Sequence, residues 1–74
     1  MSGRAVAIGD ERRLGGYALA GAEVRPAAGA DDAAAAWEEL ADDVALVVLD
    51  PSAYSALAAR LDKRPMVVWA VLPE

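Results

Sequence analysis

Two carboxylates in this chain stand where a sheet protein could use them. Asp10 follows the apolar run 4–8 and Gly9, and Asp50 follows the apolar run 44–49. Acidic side chains at the carboxyl ends of two strands would bind a divalent cation or accept a phosphoryl group. Each also has a plainer reading. Asp50-Pro51 is a helix cap followed by proline at the first helical position, and Gly9-Asp10 is ordinary turn chemistry. As a simple cap, Asp50 would be replaceable by Ser or Asn with most of its stability retained. The remaining chemistry is sparse. There is no cysteine and no histidine, so there is no thiolate, disulfide or imidazole base. Ser52 and Ser55 have no evident base to activate them. Gly9, Gly15, Gly16 and Gly21 fit neither a dinucleotide fingerprint nor a Walker loop, and no lysine follows them. Their expected role is tight packing of a first helix on the sheet. Arg12 and Arg13 suit a solvated loop, or an anion at the sheet mouth. The expectation is a chain with no catalytic residues, no metal and no cofactor.

The elements that would position these residues alternate. Residues 4–8 form a short apolar run of the kind buried on both faces of a parallel sheet. Residues 11–20 carry Leu14, Tyr17, Ala18 and Gly21 at helical spacing, with Gly21 placed to end the helix. Gly15-Gly16 disfavours a helix interior by about 1 kcal/mol per glycine, so that helix is expected to be short or to begin near Gly15. Residues 22–26 make a weak strand, and Pro26 suits a sheet edge because it has no N–H to donate. Asp31-Asp32 offers a cap and favourable charge for a second helix. Ala33, Ala36, Trp37, Leu40 and Val44 supply its apolar stripe, with Trp37 in the core. Residues 44–49 are the clearest buried strand. Tyr54, Leu57, Ala58 and Leu61 form the apolar face of a third helix, and residues 66–72 are a fourth strand, apolar throughout.

The pattern βαβαβαβ predicts one α/β domain over residues 1–74, a single parallel four-stranded sheet with helices on both faces. Right-handed crossovers, a proline-ended second strand at an edge and two strongly apolar strands in the middle give the order 2-1-3-4. The first helix then covers one face, and the second and third cover the other.

Composition excludes several classes. Twelve acidic against seven basic residues leave a net charge of −5 with no basic stripe, so nucleic acid is not an expected partner. The apolar runs are far shorter than the ~20 residues of a membrane span, so no membrane insertion is expected. The N-terminus does not read as a signal peptide, and a cytoplasmic location is the default. With 57% hydrophobic residues arriving in runs, the chain should fold rather than stay disordered.

The fourth strand points to a partner. Trp69 shares one strand face with Val67 and Val71, while Met66, Val68, Ala70 and Leu72 share the other. Both faces need cover, yet in order 2-1-3-4 this strand lies at the sheet edge. On one face only a helix beyond residue 74 would cover it. The residues expected to meet a partner are therefore Met66, Val67, Val68, Trp69, Val71 and Leu72, through docking or through self-association along this strand.

Two resemblances follow from these residues. Asp10 and Asp50 at their strand ends resemble the magnesium and phospho-acceptor corner of receiver domains, within a flavodoxin- or receiver-like fold. That family also places a lysine on a further strand. More of the chain resembles the F subunits of the vacuolar/archaeal-type rotary ATPases. Residues 4–10 look like that family's opening strand. Gly15-Gly16-Tyr17-Ala18-Leu19-Ala20-Gly21-Ala22-Glu23-Val24 is similar to its G-F-x-L-A-G-V segment. Residues 44–49 match its third strand, and Arg64-Pro65 through Leu72-Pro73 looks like its P-x-x-x-x-I-P end strand. Arg13-Leu14-Gly15 departs from the Thr-like residue that members usually carry, and the C-terminal helix that engages the shaft is expected to be missing. The resemblance implies a noncatalytic central-stalk subunit of an ion-translocating ATPase. Such a subunit docks on the coiled-coil shaft subunit, peripheral to the membrane. The alternative is a reduced signalling domain with Asp50 as phospho-acceptor.

Overall fold

The computed structural model describes residues 3–19 and 21–73. Seven elements alternate along them: β1 (Arg4–Gly9), α1 (Glu11–Leu19), β2 (Glu23–Pro26), α2 (Ala30–Glu38), β3 (Val44–Leu49), α3 (Pro51–Leu57) and β4 (Val68–Val71). A 3-10 turn, Leu61–Lys63, lies between the last two. Every strand pair is parallel and the order is β2-β1-β3-β4, as the sequence pattern requires.

Strand alternation divides the core. Val6 and Ile8 of β1 and Val47 and Leu49 of β3 point to one side. There they pack with Trp37, Leu40, Leu57 and Leu61, supplied by α2, α3 and the segments that follow them. Ala7 points to the other side, where Leu14 of α1 is also fully buried. So α1 covers one face and the α2–α3 pair the other. At the β2 edge, Arg25 is tied to Glu23 at 2.7 Å and to Glu39 of the α2 end at 3.2 Å.

The helix ends differ from expectation in instructive ways. The first helix starts at Glu11 rather than near Gly15, because Asp10 caps it: Oδ1 accepts the Arg12 N–H at 2.9 Å and the Asp10 carbonyl accepts Leu14 N–H at 3.1 Å. Gly15 and Gly16 lie inside this helix on its exposed side, and a Cβ at either would meet nothing within 4 Å. They do not serve packing on the sheet. Gly15→Ala and Gly16→Ala should each raise stability by about 0.5–1 kcal/mol, read as a higher denaturation midpoint. Gly21 ends the helix as expected. It adopts φ +99°, and Ala22 N–H donates back to the Tyr17 carbonyl at 3.0 Å, the Schellman arrangement. Ala20, expected in this helix, lies outside the described residues.

The second helix is not capped by Asp31-Asp32. Its N-cap is Gly29, without a side-chain bond, and the two aspartates occupy the first turn. There their charge complements the helix dipole, and Asp32 Oδ2 accepts the Ala28 N–H at 3.2 Å. The expected stripe is buried at all five positions, but the helix stops at Glu38, so Leu40 and Val44 belong to the following loop and strand. On α3 the expected apolar face is split. Leu57 is buried, Leu61 is buried one turn later, and Tyr54 and Ala58 are exposed. The fourth strand is shorter than the apolar run. Met66, Val67 and Leu72 fall outside Val68–Val71.

Candidate functional site

The sheet mouth is built where β1 and β3 end side by side and their chains diverge into α1 and α3 on opposite faces. Asp50 is the organising residue there, only 2% exposed. Its Oδ1 accepts the Ala53 N–H at 2.8 Å, capping α3 as the sequence implies. Its Oδ2 accepts the Asp10 N–H at 2.9 Å, a bond the sequence does not announce. The Asp50 N–H donates to the Ile8 carbonyl at 3.3 Å, and Ala27 N–H donates to the Gly9 carbonyl at 2.8 Å. One carboxylate therefore joins the end of β1, the start of α1 and the start of α3.

Gly9 makes room for this. Its φ is +152°, and a Cβ built on it would overlap the Asp50 carboxyl, with the oxygens at 2.6 and 2.7 Å. Only glycine lets the β1 end approach Asp50 this closely.

Beyond the carboxylate lies an open cleft of about 670 Å³, lined by Asp10, Glu11, Arg13, Pro26, Ala28 and Ser52 among others. Asp10 and Asp50 are thus brought together, as two strand ends at a switch point require. Both are engaged with backbone N–H groups. Ser52 reaches the cleft, and Ser55 is exposed further along α3. Arg12 is exposed, 3.9 Å from Asp10. Among the described residues no three or more of His, Cys, Asp and Glu are grouped so as to hold a metal ion, and no helix is long and apolar enough to cross a membrane. At the β2 edge the hydrogen bond that Arg25 donates to the Glu23 carboxylate holds its guanidinium above its usual pKa, with smaller help from Glu39 and against partial desolvation.

The other candidate surface is the β3–β4 side. Met66 is 88% exposed and Val68 66%. Val68 pairs in register with Leu46 of β3, itself exposed, so both lie on the face that carries α1. That helix covers β1 and β2 and leaves this half of the face open. Trp69, 39% exposed, lies on the opposite face and stacks on Tyr54 with ring centroids 5.5 Å apart. Val71 is exposed beside it, Val67 packs against the core, and Leu72 is half-buried. Leu46 and Tyr54 were not singled out as surface residues from sequence. Pairing β3 against β4 by alternation would have exposed Leu46, whereas the Tyr54 stack has no sequence signal. The chain matches no protein-family model, no curated protein and no solved structure.

Proposed function

We propose that this domain is a noncatalytic docking subunit, and that its partner is the coiled-coil shaft of a vacuolar/archaeal-type rotary ATPase. The observation that carries the docking part is the open apolar half-face of Leu46 and Val68. A surface of this kind suits a helix that brings its own apolar stripe. The sequence resemblance supplies the identity of that helix. The sheet mouth favours the same reading, since both Asp50 oxygens are spent on backbone N–H groups that hold the fold together. In this role the domain sits beside the membrane in a complex and leaves ion choice to other subunits.

Mixing the chain with the shaft coiled coil and running gel filtration tests the proposal. A co-eluting complex is expected, weakened by Val68→Glu while the isolated domain keeps its circular dichroism spectrum. Failure to co-elute would sink the rotor assignment. The receiver-like alternative rests on Asp10 and Asp50 meeting at the switch point. It requires a phosphoryl adduct, seen by intact mass after incubation with a small phosphodonor and magnesium, that Asp50→Asn abolishes. No such adduct is expected.

A further inference from the structure

We propose that β4 is a self-pairing edge. Two copies of this chain join antiparallel about a two-fold axis through Ala70, normal to the sheet, to give one continuous eight-stranded sheet. The two edges of the sheet are built differently. The β2 edge ends in Pro26 and carries Glu23 and Arg25, locked in ion pairs, and these features discourage strand addition. The span Val68–Val71 has no charge and no proline. Its side chains are exposed on both faces, and a facing strand shields both faces, whereas a helix shields one.

Backbone direction sets the register. Leu72 N–H donates to the Leu49 carbonyl at 2.8 Å, so position 72, and by alternation 70, turns its peptide groups toward β3. The N–H and C=O groups of Trp69 and Val71 therefore face outward. In an antiparallel pair, opposed residues exchange either both hydrogen bonds or neither. An axis through Ala70 sets Trp69 opposite the second copy's Val71, and Val71 opposite the second copy's Trp69. All free groups on the strand are then satisfied, with four hydrogen bonds. An axis through Trp69 sets Val71 opposite the second copy's Val67, whose N–H is already given to the Arg64 carbonyl at 3.0 Å, so the Val71 carbonyl gains no donor. An axis through Val71 sets Trp69 against Pro73, which has no N–H.

Side chains agree with this choice. On the α3 face Trp69 lies beside Val71 of the other copy, an aromatic and β-branched cross-strand pair. On the opposite face Ala70 meets Ala70 in the close, non-hydrogen-bonded pair, where a small residue fits. Each copy carries a charge of −5, so the contact is apolar and backbone-driven against a net repulsion, and salt should strengthen it. The inference stands apart from the shaft assignment. The pairing uses the strand edge and leaves the Leu46 half-face for a docking helix.

Sedimentation equilibrium of the chain should show a monomer–dimer equilibrium that tightens as salt rises. Val71→Pro removes an N–H that β3 does not use, so the fold should persist by circular dichroism. The dimer should weaken about tenfold or more, because two of its four hydrogen bonds are lost. The chain has no cysteine, so single-cysteine variants report the register. Ala70→Cys should cross-link under mild oxidation at least about ten times faster than Val68→Cys, since opposed Cβ atoms lie about 4.5–5.5 Å apart in such pairs. A monomer at all soluble concentrations, a dimer indifferent to a folded Val71→Pro, or faster cross-linking at position 68 would each overturn the proposal.

Discussion

Gly9→Ala should destabilise the domain by about 3 kcal/mol or more. Two terms add. The backbone at φ +152° is poorly suited to a side chain, a penalty of about 1–3 kcal/mol. The new methyl would also press on the Asp50 carboxyl, whose oxygens would lie at 2.6 and 2.7 Å. That group cannot swing aside without releasing the Asp10 and Ala53 N–H groups it holds. In a domain this small each kcal/mol moves the thermal midpoint by about 4–8 °C, so the loss should be plain in a melting curve. A Gly9→Ala protein that melts with the parent would mean that the β1 end has slack to move off Asp50.

Asp50→Ala should lose a similar amount, about 3 kcal/mol, because two hydrogen bonds to one carboxylate go at about 1.5–3 kcal/mol each. A helix cap alone would be worth about 1 kcal/mol. The rest belongs to the Asp10 N–H, which is left without its partner. This alters what the sequence leads one to expect of conservative replacements. Asn offers one acceptor oxygen and turns an NH₂ toward the second donor, and Ser reaches only the cap. Each should recover about half of the loss rather than most of it. Chemical denaturation of the three variants separates the two accounts, since full rescue by Ser would show the Asp10 bond to be idle. The double variant Gly9→Ala/Asp50→Ala should be much less damaging than the sum of its parts, because removing the carboxyl removes what the new methyl strikes.

The strand order was legible because three signals agree. Apolar runs at 4–8 and 44–49 require cover on both faces, Pro26 requires an edge, and crossover handedness leaves one arrangement. The Asp50 cap was legible from Asp-Pro at a strand end. The bond from Asp50 to Asp10 was not, since it joins residues 40 apart through the approach of two strand ends. Local composition misled at Gly15-Gly16. Propensity argues against a helix interior there, but Asp10 caps the turn before them and Leu14 anchors it. At 66–72 hydrophobicity overstates the strand. Parallel pairing with β3 ends at Leu46↔Val68, which leaves Met66 outside the ladder. Which face of β4 is open depends on how far α1 reaches across the sheet, and nothing in the sequence encodes that reach.

The two sides of the sheet differ in depth, and this grades the molecule's stability. The α2–α3 side holds a contiguous cluster that includes Trp37, Leu40, Leu57 and Leu61. On the other side Leu14 of α1 is buried, and two exposed glycines follow it. Detaching α1 returns backbone entropy at both glycines. Amide protons of α1 therefore exchange through a local opening well below the global unfolding free energy, while those of β1 and β3 wait for the whole sheet to come apart.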